Sequence, residues 1–188
     1  MEINKTRRQL KVEDCKQCPS PNKDSRPANT IVDLIVIHSI SLPPGQYGDE
    51  SIEHFFQNKL DKNAHPYFEE VHQLKVSSHI LIKRTGEIVQ FVPFDDRAWH
   101  AGESTYKGRE RCNDFSLGIE LEGTNIDSFE EQQYQQLALL IKALEKTYPK
   151  TSGNITGHSD IAPGRKSDPG TGFDWEKLHH YLAKTNNI

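Results

Sequence analysis

The chain has 188 residues, with 27 acidic and 23 basic side chains and a net charge of −4. That length suits one domain, large enough to fold without disulfides or metal, and the mildly acidic balance offers no basic footprint for a nucleic-acid backbone or an anionic membrane. No apolar run is long enough for a signal-peptide core or a bilayer span, so the expectation is a protein made and kept in the cytoplasm, with no obligate protein partner.

Residues 1–30 are polar and carry Pro19, Pro21 and Pro27, which predicts an irregular arm packed on the domain formed by residues 31–185. Within the arm, Cys15-Lys-Gln-Cys18 spells C-x-x-C. A zinc site would want a second such pair and a redox site a strand-to-helix junction, whereas Pro19 and Pro21 follow here. With Cys112 the cysteines are odd in number, and no disulfide framework is expected.

Ile31-Val-Asp-Leu-Ile-Val-Ile37 is rich in β-branched residues and too short for a usual helix, which predicts a buried strand ending on His38. After Pro43-Pro44-Gly45, the residues Ile52, Phe55, Phe56 and Leu60 recur at helical spacing, and a loop through residues 63–67 follows. Residues 78–82 and 87–92 flank Arg84-Thr85-Gly86 and predict an antiparallel hairpin. From Phe115 to Gly123 the pattern alternates. Leu117, Ile119 and Leu121 fall on one face, and Gly118, Glu120 and Glu122 on the other. Ser128 and Glu131 have the spacing of a capping box before a helix striped by Tyr134, Leu137, Ala138, Ile141 and Leu144, which stops before Pro149. Asp174 is the expected cap of a last helix carrying Trp175, Leu178 and Leu182. Strands interspersed with helices predict the α/β (α+β) class, a single domain with a central mixed β-sheet flanked by helices.

Among the nine histidines, His38 stands out, because a histidine closing a buried strand sits at the rim of a sheet where rigid backbone can aim a ligand. The second candidate lies in the stretch from Asn154 to Gly170, where His158, Asp160, Arg165, Lys166 and Asp168 crowd a loop shaped by glycine and proline. Two imidazoles and one carboxylate leave a fourth tetrahedral position for water, the ligand pattern of catalytic zinc. Spacing alone leaves other readings open. His38 could be a satisfied core histidine, Glu120 and Glu122 a solvated strand face, and either Asp160 or Asp168 the third ligand.

Seven blocks, in order, carry a resemblance. They are Val36-Ile-His-Ser-Ile-Ser-Leu-Pro-Pro-Gly45, Asn63-Ala-His-Pro-Tyr-Phe68, Gly86-Glu-Ile-Val-Gln-Phe-Val-Pro-Phe94, Arg97-Ala-Trp-His-Ala-Gly102, Gly108-Arg-Glu-Arg-Cys-Asn-Asp114, Gly118-Ile-Glu-Leu-Glu-Gly123 and the loop from Gly157-His158 to Pro169-Gly170. Over residues 18–182 the chain resembles the AmpD branch of the peptidoglycan amidases, relatives of phage lysozyme-type amidases and animal peptidoglycan-recognition proteins. The resemblance implies a central mixed sheet, Zn2+ held by His38, His158 and Asp168, Glu120 as catalytic carboxylate and Lys166 as catalytic cation. It implies cleavage of 1,6-anhydro-muramyl peptides between N-acetylmuramic acid and L-alanine during cytoplasmic peptidoglycan recycling, with an indirect effect on β-lactamase induction. Arg111 and Lys75 would face the acidic stem peptide, and Ser39, Tyr67 and Trp99 would wall the pocket. The chain departs from the family at Ser39, where asparagine is expected, at Lys75, where arginine is expected, and at Ser159-Asp160, where cysteine and asparagine are common. The competing expectations are a lytic amidase acting on intact wall and a non-catalytic peptidoglycan-binding module.

Overall fold

A computed structural model describes residues 1–4, 8–11 and 13–185. The N-terminal arm holds more regular structure than its composition predicts. Strands β1 (Ile3–Asn4) and β2 (Gln9–Leu10) pair with each other, β3 (Lys16–Gln17) joins the edge of the main sheet, and β4 (Lys23–Ser25) pairs with residues 96–98. These strands are only two or three residues long, and β3 and β4 find distant partners, so no local periodicity announces them. The Leu10 amide donates to Gln90 Oε1 at 2.8 Å. The half-buried Arg26 guanidinium donates to the carbonyls of Phe94, Asn113, Asp114 and Ser116 at 2.9–3.2 Å. Cys15, Cys18 and Cys112 are buried free thiols, and burial pushes Cys15 up to about 11, far from a reactive thiolate.

The chain continues through β5 (Leu34–Ile40), α1 (Ser51–Phe56), α2 (Pro66–Val71), β6 (Ile80–Ile82), β7 (Ile88–Gln90), β8 (Asp96–Ala98), β9 (Thr105–Tyr106) and β10 (Arg109–Glu110). It ends with β11 (Ser116–Glu122), α3 (Glu131–Thr147), β12 (Ile155–Gly157), α4 (His158–Ile161) and α5 (Trp175–Thr185). The central sheet has the order β12-β5-β11-β6-β7-β3. Its strands β12, β5, β11 and β6 run parallel, β7 folds back antiparallel on β6, and β3 lies parallel to β7. This is the expected single domain with a mixed sheet covered on both faces, which explains why β5 reads as an unbroken apolar run.

One face packs Ile35, Ile37, Leu117, Ile119 and Leu121 against Tyr134, Leu137, Ile141 and Leu144 of α3 and Leu178 of α5. Burying each such side chain contributes about 1.5–3 kcal/mol, so this layer fixes which side of β5 and β11 faces away from it. The opposite face packs Leu81 and Val89 against Ile52, Phe55, Phe56 and Phe68, and Leu34 and Val36 against Ala101, Phe115 and Ile161.

Two local expectations are corrected. The box opening α3 is set at Glu130 and Gln133, two residues after Ser128: Gln133 Oε1 accepts the Glu130 amide at 2.9 Å, and Gln133 Nε2 donates to the carbonyls of Ile82 and Glu122 at 3.1 and 3.0 Å. The same glutamine caps the helix and ties it to the ends of two strands, so tertiary anchoring outweighs the local Ser-x-x-Glu spacing. The loop expected over residues 63–67 becomes helix at Pro66, where His65 Nδ1 accepts the Tyr67 amide at 3.1 Å and proline occupies the first turn. Asp174 does cap α5, accepting the Lys177 amide at 2.9 Å.

Candidate metal centre and active site

Parallel pairing brings the site together. Gly157 of β12 lies opposite Ile37 of β5, so the next residues come side by side, His158 where the chain leaves the sheet into α4 and His38 still within β5. Asp168 arrives from the loop after α4, whose path is held by its own carbonyl accepting the Ser159 amide at 2.8 Å. The Nδ1 atoms of His38 and His158 stand 3.0 Å apart, and each lies near Asp168 Oδ2, at 3.1 and 3.0 Å. Three heteroatoms at mutual contact cannot all be joined by hydrogen bonds, because two neutral rings would have to aim more protons into one triangle than they carry there. Such a convergence suits a cation, and the His38, His158 and Asp168 set could hold a metal ion.

The outer ring atoms support that assignment. His158 Nε2 lies 3.1 Å from the Ala101 carbonyl, which can only accept, so the proton sits on Nε2 and Nδ1 keeps its lone pair. His38 Nε2 faces His100 Nδ1 at 2.9 Å. Burial lowers His38 to about 4 and keeps the ring neutral. For Asp168, burial opposes ionisation, yet the close approach of the His158 and His38 rings outweighs it and holds the carboxyl below its usual range. Two neutral imidazoles and one carboxylate are a donor set matched to a divalent ion with an open position.

Glu120 stands opposite His38 in the β5–β11 register and shares its face of the sheet. It is only 8 % exposed, and its Oε2 has no hydrogen-bond partner among the described residues. Burial raises its pKa well above the ordinary value, the Asp168 charge adds to this, and Lys166 partly offsets it. A buried carboxyl with an orphaned oxygen beside two histidines is a proton carrier awaiting a partner.

One cavity of about 420 Å3 takes in His38, His158, Asp168, Glu120 and Lys166, and Ser39, Tyr67 and Trp99 form part of its wall. The other residues singled out in the sequence lie elsewhere. Lys75 is exposed between the wall residues Leu74 and Val76. The Arg111 side chain is 71 % exposed and sits 3.4 Å from Asp114, off the cavity wall. Asp160 points back into its own turn, accepting from the Thr156 hydroxyl at 3.0 Å and the Gly157 amide at 2.9 Å. Glu122, expected on a solvated face, is buried and accepts the amides of Gly48 and Arg84 at 2.7 and 3.0 Å.

Two cavity residues make contacts that no sequence pattern announces. His100 is one of nine histidines, and its reading as a pocket-wall residue agrees with its place in the cavity lining. Asn125 is a polar turn residue without any pattern, yet its amide bonds Ser39 Oγ at 3.0 Å and Ser167 Oγ at 2.6 Å. An amide therefore does stand beside position 39, supplied from the loop after β11.

Residues 27–171 match the family model for N-acetylmuramoyl-L-alanine amidase. The chain is 54 % identical over 169 residues to the 1,6-anhydro-N-acetylmuramyl-L-alanine amidase AmpD of Escherichia coli (strain K12), covering 90 % of this chain and 92 % of that one. A crystal structure of a Se-Met AmpD derivative superposes with a TM-score of 0.93 at 50 % identity, covering 97 % and 99 % of the two chains. The E. coli amidase AmiD, solved in complex with the substrate anhydro-N-acetylmuramic acid-L-Ala-D-gamma-Glu-L-Lys, superposes with a TM-score of 0.58 at 29 % identity, covering 95 % of this chain and 65 % of that one.

Proposed function

The chain belongs to the N-acetylmuramoyl-L-alanine amidase family, and from that premise we propose that it recycles cytoplasmic 1,6-anhydro-muramyl peptides, hydrolysing the amide between the sugar's lactyl group and L-alanine. Residues 31–185 form the catalytic domain in this proposal, with residues 1–30 as an arm packed upon it. The observation that carries it is the meeting, in one cavity, of three converging ligand atoms and a buried carboxyl with a free oxygen.

His38, His158 and Asp168 would hold zinc. The bound ion supplies Lewis-acid polarisation and activation of water near neutral pH. Glu120, with its raised pKa and unpartnered Oε2, takes up the proton released by the attacking water and delivers it to the departing alanine nitrogen. The Lys166 ammonium, on the loop that carries Asp168, opposes the negative charge that grows on the carbonyl oxygen. Ser39, Tyr67 and Trp99 wall the space around the scissile bond, while the exposed Lys75 and Arg111, outside that wall, would meet the stem-peptide carboxylates.

The test is the mass of the products from an anhydro-muramyl tripeptide incubated with zinc-loaded protein, beside kcat/KM for the reducing-sugar counterpart and turbidity of purified sacculi. Free anhydro-sugar and intact tripeptide are expected, with the reducing sugar slower and the sacculi uncleared. Cleavage within the peptide would sink the amidase assignment. Equal rates on both sugars, or rapid clearing of sacculi, would sink the recycling assignment alone.

A further inference from the structure

Behind His38 lies a chain of buried polar groups that hydrolysis itself does not use. His38 Nε2 is 2.9 Å from His100 Nδ1, His100 Nε2 is 3.1 Å from Ser116 Oγ, and Ser116 Oγ is 2.5 Å from the Cys112 carbonyl. All four residues are buried. The direction of every bond follows from the far end. A carbonyl only accepts, so the single Ser116 proton goes to Cys112, and the hydroxyl must accept from His100 Nε2. A neutral His100 then presents a bare Nδ1, to which only an Nε2–H of His38 can donate. That leaves His38 Nδ1 without a proton, facing His158 and Asp168.

The ring of His100 has little freedom to leave this line. It lies directly over Gly118, where an added Cβ would fall 2.5 Å from His100 Cγ, and it meets the His79 ring edge-on with centroids 5.8 Å apart. Its backbone is fixed by Asn113, whose Oδ1 accepts the amides of His100 and Ala101 at 3.1 and 2.8 Å. The neighbouring Ala101 carbonyl receives His158 Nε2–H. One dipeptide thus backs both histidines of the metal cluster.

We propose that His100, set by Ser116 and the Cys112 carbonyl, is a positioning residue that locks His38 in the Nε2–H tautomer and so keeps its Nδ1 available to the metal. This rests on the reading of His38, His158 and Asp168 as metal ligands.

The experiment measures zinc dissociation constants by chelator competition, and the His38 tautomer by 15N NMR of the metal-free protein, for the wild type, His100→Phe and Ser116→Ala. Thermal unfolding serves as the control for folding. Loss of an outer-sphere partner of this kind weakens metal binding about 10–100-fold, and that loss is expected for His100→Phe, with a smaller one for Ser116→Ala. The wild type should show His38 as Nε2–H, and Ser116→Ala a mixture, because without the hydroxyl His100 can turn its proton toward His38. Ser116→Thr, which keeps a hydroxyl, should restore the wild-type tautomer. A wild-type His38 carrying its proton on Nδ1, or folded variants with unchanged zinc affinity, would overturn the proposal. A wild type that binds no zinc while His38 is Nε2–H would instead remove the metal reading and leave the tautomer lock standing.

Discussion

Glu120→Gln is the sharpest perturbation of the proposed chemistry. The amide keeps the shape of the side chain in its buried place opposite His38 and removes the exchangeable proton. The structure indicates how much activity should go. Among the described residues Glu120 Oε2 has no hydrogen-bond partner to substitute for it, and the other charged group assigned to the reaction, Lys166, lies on the exposed loop and is assigned to charge stabilisation. The whole acid–base contribution should therefore disappear, about 10²–10⁴ in kcat, or about 3–5 kcal/mol of barrier. Zinc content and KM for anhydro-muramyl tripeptide should stay near the wild-type values, since Glu120 is not among the converging ligand atoms. Steady-state kinetics with elemental analysis of the same preparation gives both readouts. A raised KM with unchanged kcat would show that Glu120 binds substrate without moving a proton, and the assignment would be abandoned.

Asp168→Ala should release zinc on mild dialysis and abolish activity, whereas Asp160→Ala should retain zinc and lose about 1 kcal/mol of stability as a lost turn cap; the reverse would exchange their roles. His79, which accepts the Gly118 amide through Nδ1 and is lowered to about 3 by burial, cannot take a proton while folded above that pH. The unfolded chain protonates this residue near 6.5, so its contribution is complete above 6.5 and is lost as pH falls toward about 3. Between about pH 7 and about pH 4.5, urea unfolding of the wild type should lose about 3 kcal/mol more than that of His79→Gln, and parallel losses would refute this origin. Gly170 has φ +81° and would place a Cβ 2.1 Å from the Asn125 carbonyl oxygen, so Gly170→Ala should cost about 1–3 kcal/mol and weaken zinc binding through the displaced Asp168 loop; unchanged melting would show that the loops part freely.

The sheet and its main ligand were legible because strand alternation is local. The apolar run before His38 and the alternation that separates Leu117, Ile119 and Leu121 from Glu120 needed no tertiary knowledge, although the strand begins at Leu34 and continues past His38 to Ile40, where pairing with β11 carries it beyond the apolar run. The choice between Asp160 and Asp168 was not local, because it depends on which carboxylate the turn consumes, and Thr156 and Gly157 consume that of Asp160. The start of α3 was misplaced for a similar reason, since Gln133 answers to Ile82 and Glu122 across the fold. Strands β3 and β4, the helix at Pro66 and the roles of His100 and Asn125 depend on partners far away in the chain or on single caps, and neither leaves a period in the sequence.

The pairing of β5 with β11 has a consequence for how this chain can change over time. Seven consecutive pairs, from Leu34 with Ser116 to Ile40 with Glu122, hold His38 level with Glu120. Volume-conserving apolar substitutions along the α3 side of these strands can be answered by repacking. Insertions and deletions are different. Removing one residue between Leu34 and Ile37 would turn His38 toward α3 and bring Ser39 to the level of Glu120, and the same loss before Glu120 would bury that carboxylate against Leu137 and Ile141. Length variation in descendants of this sequence should therefore collect in the loops, such as that between β9 and β10, while these two strands keep their residue count even where their identities diverge.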